Sequence, residues 1–207
     1  MKVALLPSGP LRVNTYIAVD EATNKAFMVD PGGYDTEMIK YIGENHMELE
    51  YIILTHGHED HIAGVNEYKE MFPEVKVVAH EAEFPMIENA VPEMVRTGFP
   101  ICFTPDIAIK DGDTLMCGDI ELKFFHTPGH TLGGMCIYVE ADRDLYSGDT
   151  LFQQSIGRTD FPGGSFKQIT ESIKRLYQLP DDTRVMPGHM GLTTIAHEKE
   201  NNPFVRP

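Results

Sequence analysis

The segment Thr55-His56-Gly57-His58-Glu59-Asp60-His61 places four metal-competent groups within six residues. It follows Tyr51-Ile52-Ile53-Leu54, an apolar run that reads as a buried strand. Side chains two apart on an extended chain share a side, so His56 and His58 can face one point. A turn at Glu59-Asp60 lets Asp60 and His61 face it as well. Three more groups lie downstream, each preceded by glycine and each at the end of an apolar strand: His130, Asp149 and His189. Glycine permits the close backbone approaches that such a convergence requires. One of these histidines alone is more often a satisfied surface or core residue. Five histidines and two aspartates, spaced this way, make a ligand set.

That set has a chemical logic. Imidazole and carboxylate donors suit zinc, iron and manganese. Structural zinc sites are usually rich in cysteine and closed, whereas catalytic ones use histidine and carboxylate and keep a position open. No cysteine lies in these motifs. Seven donors exceed the needs of one tetrahedral ion and suit two ions about 3.5–4 Å apart, bridged by a carboxylate and a water. Two divalent metal ions are the expected cofactor, zinc first, with iron or manganese as alternatives.

The elements that must position these residues are read from hydrophobic periodicity. Tyr16–Val19 and Ala26–Val29 read as short strands, followed by a turn at Asp30-Pro31-Gly32-Gly33. Asp35 caps a helix whose apolar face is Met38, Tyr41 and Ile42. A helix with Ile62, Val65 and Phe72 on one side follows the histidine segment, and Val75–Ala79 is a further strand. Ile120–Phe124 alternates with period two, and Met135–Val139 and Leu145–Ser147 follow at short spacing. Ser165-Phe166-Lys167-Gln168 is a capping box that opens a helix bearing Ile169, Ile173, Leu176 and Tyr177, stopped by Pro180. Val185-Met186 is a last short strand. The pattern places sheets in the middle and helices outside.

The chain has 207 residues, a length that favours one domain over residues 1–207. Lys plus Arg is 17 against 32 Asp plus Glu, a net charge of −15, which argues against nucleic acid or an anionic membrane as partner. A nuclease is a poor reading for the same reason. The apolar run at the start is too short for a signal peptide, and no stretch approaches the ~18 apolar residues of a membrane span. A cytoplasmic protein is expected. Cys102, Cys117 and Cys136 are odd in number and lack metal-site spacing, so they are read as buried free thiols.

The ordered set His56-x-His58-x-Asp60-His61, then His130, Asp149 and His189, resembles the signature of the metallo-β-lactamase superfamily over nearly the whole chain. The resemblance implies an α/β fold, the four-layer αβ/βα sandwich of two packed mixed sheets with helices on both outer faces. It implies one metal on His56, His58 and His130, a second on Asp60, His61 and His189, and Asp149 bridging them. Within the superfamily the chain looks most like the short bacterial form of the glyoxalase II branch. The matching segments are Gly148–Phe152, Gly157-Arg158-Thr159-Asp160, Pro187-Gly188-His189 and the tail from Thr193 to Phe204. The sequence ends at Pro207, so the C-terminal helical domain with which full-length glyoxalase II enzymes help bind glutathione is expected to be absent. The thiol carrier is left open.

The function implied is hydrolysis of a small-molecule thioester by a hydroxide shared between the ions, with Asp149 bridging and Asp60 both binding metal and orienting the water. The alternative is a persulfide dioxygenase with one iron, using His56, His58, His130 and Asp149 only. A β-lactamase is less favoured, lacking a secretory signal, and a non-catalytic metal scaffold least, since no expected donor is missing. Asp30 reads equally as a turn residue or as a partner that orients a ligand histidine. Arg158 reads as a contact for an anionic substrate or as an ion pair with Asp160. His46, His80, His126 and His197 fall outside the ligand set. The Pro-, Met- and Phe-rich segment 84–103 reads as outer helix, with an acyl pocket or lid as the rival.

Overall fold

Burial of the central strands on both faces sets the layers. In the computed structural model, which describes residues 1–89 and 103–207, β1 (Lys2–Ser8), β2 (Val13–Val19), β3 (Lys25–Val29), β4 (Glu48–Leu54), β5 (Lys76–His80) and β6 (Ile107–Ile109) form one sheet in sequence order. The first two pairings are antiparallel and the rest parallel. Ile17, Met28, Ile52, Leu54 and Val77 point to one face, where they meet Met38 and Ile42 of α1 (Thr36–Glu44), Ile62 of α2 (Glu59–Ile62), Val65 and Tyr68 of α3 (Val65–Met71) and Ile87 of α4 (Phe84–Asn89). Tyr16, Phe27, Val29, Ile53 and Val78 point to the other face. A strand apolar on both sides belongs between two layers.

The second layer is the sheet β14-β13-β10-β9-β8-β7. Its members are β7 (Thr114–Cys117), β8 (Ile120–His126), β9 (Met135–Val139), β10 (Asp144–Gly148), β13 (Arg184–Pro187) and β14 (Thr193–Thr194). Only β10 and β13 pair in parallel. Leu122, Phe124, Ile137, Tyr146 and Met186 fill the space between the sheets. Cys136, Tyr138, Leu145 and Val185 face outward against Ile169, Ile173 and Leu176 of α5 (Phe166–Leu176) and Ile195 of α6 (Ile195–Asn201). The four-layer sandwich of two mixed sheets with helices on both outer faces is thus the observed fold. A small hairpin, β11 (Leu151–Phe152) with β12 (Ser155–Ile156), follows β10.

Two sequence expectations change. The helix read through Ile62, Val65 and Phe72 is two helices, α2 and α3, broken at Ala63-Gly64. Gly64 donates to Pro31 O at 2.8 Å, and a Cβ on it would fall 2.6 Å from the Gly33 carbonyl carbon, so the chain bends there to meet the turn after β3. The capping box closes on one side only. Ser165 Oγ accepts from Gln168 N, but Ser165 N donates to Gly129 O at 2.8 Å. The helix start is thereby tied to the loop that carries His130. The segment 84–103 read as pocket, lid or outer helix is described only at its edges, and its middle lies outside the described residues, as does Cys102.

The two sheets are joined at one edge. Thr55, just after β4, accepts from Met135 N at 2.9 Å, and Asn14 N donates to Gly188 O at 2.8 Å. Asn14 Nδ2 reaches Pro187 O and Met190 O, and the Tyr16 hydroxyl donates to Pro187 O. Gly129 has φ +131° and abuts the α5 backbone, where an added Cβ would lie 2.2 Å from Ile169 N. Gly129→Ala is therefore expected to cost about 2–5 kcal/mol, combining backbone strain and overpacking. A urea-unfolding midpoint at the wild-type value would refute this account of the loop.

Candidate metal centre

Each expected donor lies beyond a strand end, in the loop or the short helix that follows it, at the edge where the sheets meet. His56 and His58 follow β4, and Asp60 and His61 lie on α2. His130 lies in the β8–β9 connection, Asp149 follows β10, and His189 follows β13. The structure brings all seven together. Among the described residues, His56, His58 and His130 each offer a donor atom within 4.8 Å of the others, and Asp60, His61 and His189 do the same. Asp149 stands between these triples. Its Oδ2 is 3.5 Å from His130 Nε2 and 3.8 Å from His189 Nε2, and its Oδ1 is 3.4 Å from His61 Nε2. Asp60 Oδ2 is 3.3 Å from His189 Nε2 and 3.8 Å from His61 Nε2.

Hydrogen bonds at the far side of three rings decide which nitrogen faces inward. His130 Nδ1 donates to the Arg158 carbonyl at 2.7 Å. His61 Nδ1 donates to Asp30 Oδ2 at 2.9 Å. The single Thr55 hydroxyl proton goes to Asp30 Oδ2 at 2.6 Å, so the 3.0 Å contact with His56 Nδ1 has the ring donating. All three rings thus carry a proton on Nδ1 and turn Nε2 to the centre. His56 Nε2, His61 Nε2 and Asp149 Oδ1 are buried and have no hydrogen-bond partner in the protein. Buried polar atoms are normally satisfied, so these three, two of which face each other only as an ion pair at 3.4 Å, mark a place for a bound group.

The electrostatics match a cation. Burial and the neighbouring imidazoles push His56 well below the ordinary histidine range. Burial, then His130 and His61, lower His58 to about 4. Both rings are neutral donors at pH 7. Burial also opposes charge on His61, but Asp149 and Asp30 outweigh it and draw positive charge to Nε2. Asp149 stays ionised despite burial because His61, His130 and His189 surround it. The donors present fit divalent metal ions, and the rings of His56, His61 and His130 are held from behind as metal-ligating histidines usually are.

Asp30 is the residue that sequence reading left between two roles, and the geometry decides for positioning. It is 1% exposed and accepts from Thr55 N, the Thr55 hydroxyl and His61 Nδ1. It also lies near the donor atoms of His56 and His61, yet its oxygens are already engaged. Thr55 and the Arg158 carbonyl were not anticipated. Backbone acceptors have no residue type to read, and a threonine before a ligand histidine looks ordinary. The Arg158 side chain forms a two-point pair with Asp160 at 3.0 and 2.8 Å and lies over the Phe161 ring. The ion-pair reading of that residue is the observed one. His80 and His126 lie apart from the centre, stacked at 4.1 Å, and Cys117 and Cys136 are buried free thiols.

A model of the metallo-β-lactamase superfamily matches residues 8–189. The chain belongs to the metallo-β-lactamase superfamily. Hydroxyacylglutathione hydrolase GloC of Haemophilus influenzae is 32% identical over 99% of this chain and 98% of its own. The solved B3 metallo-β-lactamase BLEG-1 is 35% identical over the full length of both chains, with a TM-score of 0.91. TTHA1623, solved in a di-iron-bound form, is 31% identical over 98% of this chain and 100% of its own, with a TM-score of 0.88. These superfamily relatives differ in what their names say they act on or bind.

Asp30→Asn separates positioning from ligation. An amide cannot accept all three hydrogen bonds, so zinc affinity is expected to fall about 10–100-fold while the fold is retained. Chelator competition on the purified variant measures this. Wild-type affinity would show that Asp30 does not orient His61.

Proposed function

We propose that the chain is a metal-dependent thioester hydrolase of the hydroxyacylglutathione type. The observation that carries the reading is Asp149, whose carboxylate lies within 4 Å of both donor triples, of His130 in the first and of His61 and His189 in the second. That arrangement suits two divalent ions, zinc first with iron or manganese as alternatives, better than one. Kinship along almost the whole length of GloC supports the thioester as substrate. The Gly148–Phe152 and Gly157–Asp160 segments point the same way.

His56, His58 and His130 would hold one ion, and Asp60, His61 and His189 the other, with Asp149 shared. The bound ions would supply Lewis-acid polarisation of the thioester carbonyl and a water acidified to a pKa of about 7. Burial works against charge on Asp60, but His189 and His61 keep it ionised. Its carboxylate can therefore accept a hydrogen bond from the attacking water and orient it. Phe161 against the His58 ring at 5.5 Å, and Phe152 beside His189 at 6.2 Å, provide apolar walls. Neither described cysteine competes as nucleophile: burial raises both thiols, Cys136 to about 11.

The test is hydrolysis of S-D-lactoylglutathione by protein reconstituted with zinc, manganese or iron. Chelator-sensitive turnover is expected, and His58→Ala is expected to lower kcat/KM at least about 10³-fold by removing metal activation. Full activity in His58→Ala would sink the metal assignment. A fully metallated protein that spares thioesters but consumes O₂ with glutathione persulfide, or opens a β-lactam, would replace the thioesterase reading with that activity.

A further inference from the structure

Glu83 is a carboxylate that the metal chemistry does not use. It ends the short turn Glu81–Glu83 after β5 and is 1% exposed. Its Oε2 accepts from Gly57 N at 2.7 Å, and its Oε1 accepts from Gly133 N at 2.5 Å. Gly57 is the residue between His56 and His58. Gly133 lies three residues after His130, in the same loop. One buried carboxylate therefore joins the two loops that carry the first donor triple. Packing leaves little freedom in that arrangement. A Cβ on Gly133 would lie 2.7 Å from Glu83 N, and one on Gly57 would lie 3.1 Å from Ile87 Cγ1 and 3.2 Å from Glu83 Oε2. Both glycines let a backbone N–H come within reach of the same side chain.

We propose that Glu83 is a positioning residue, which holds the His56–His58 loop and the His130 loop in register so that their three rings converge on one metal ion. Burying a carboxylate is costly unless it is hydrogen-bonded, and here the compensation comes from two backbone donors on separate loops. The acceptor pair works only if both loops are in place, so Glu83 links their positions. Glutamine keeps the shape but offers one acceptor oxygen and an amide that meets an N–H donor. Aspartate keeps the charge but is one methylene too short to span both loops. The second triple, Asp60, His61 and His189, touches neither Gly57 nor Gly133 through Glu83. The inference rests on the proposed metal centre for its consequence, not for its geometry.

The experiment compares wild type, Glu83→Gln, Glu83→Asp and a control, Asp20→Asn. Asp20 is also a buried carboxylate accepting backbone donors, from Ala22 N and Asp119 N, but it follows the far end of β2. Two readouts are taken. Amide hydrogen exchange of metal-free protein reports Gly57 and Gly133 directly, and zinc titration against a chelator reports the two binding steps. Both Glu83 variants should speed exchange at Gly57 and Gly133 at least tenfold. They should weaken one zinc step about 10–100-fold and leave the other within threefold, while Asp20→Asn changes neither readout. Unchanged exchange at both glycines, or equal loss of zinc binding in the Asp20 control, would overturn the role given to Glu83. If a Glu83 variant fails to fold while Asp20→Asn folds, the other variant carries the comparison, and failure of both to fold would overturn a role confined to positioning. Wild type that binds no zinc, with both amides protected, would instead overturn the metal centre and leave the stitching intact.

Discussion

The centre depends on one buried carboxylate, that of Asp30. It sits at the end of β3 with φ +50°, a conformation few residues other than glycine, asparagine and aspartate adopt readily. From there it accepts from the Thr55 amide, the Thr55 hydroxyl and His61 Nδ1. Thr55 in turn receives His56 Nδ1–H and, through its carbonyl, Met135 N of the second sheet. A Cβ on Gly148 would lie 2.3 Å from the Thr55 hydroxyl, so the residue before Asp149 can be seated there only as glycine. Ligand positions contributed by three chain segments are correlated through one acceptor and one threonine.

Such correlation is needed because the donors oppose one another. Clustered imidazoles disfavour each other's charged forms, and burial disfavours every charged form present. Left to themselves, these side chains would turn outward to water. The far-side hydrogen bonds prevent that turn. Each bond also fixes a proton on Nδ1, so Nε2 is the nitrogen turned to the centre. Burial of the strands on both faces makes the scaffold stiff enough to bear this, since a close-packed interior cannot relax a loop by small adjustments.

How much was legible follows from where information sits in a chain. The seven donors could be read because their types are rare and their spacing is local. The central strands could be read because both faces are apolar: β2 is buried at every position. Edge strands escaped notice. β1 mixes exposed and half-buried residues and contains Pro7, which is tolerated at an edge where one side of the strand needs no ladder donor. The division of one expected helix at Gly64 comes from a contact with residues thirty positions earlier, which no local periodicity records. Asp30 could be one thing or the other because a turn aspartate and a ligand-orienting aspartate have the same neighbours in sequence. Glu83 was invisible because its partners are two backbone amides, and its own surroundings, Glu81-Ala82-Glu83, look like an exposed acidic turn.

The separation between what holds the donors and what meets a substrate also explains how relatives can share the fold and carry different names. Asp30, Thr55, Glu83 and the Arg158 carbonyl act from the buried side of the rings. The residues at the mouth are of another kind. Phe161 is partly exposed against His58, and Leu132 and Met190 are exposed in the loops after His130 and His189. Arg158 spends its charge on Asp160 and its flat face on Phe161, so it is not a free anion clamp. The protein's net charge of −15 acts weakly here, since screening over about 8 Å leaves the local field dominant. With the proposed ions in place, two ionised aspartates facing four positive charges would leave the centre itself cationic. Attraction for an electron-rich carbonyl then comes from the buried donor set, whereas choice among acyl groups falls to apolar side chains in loops that can change without disturbing it.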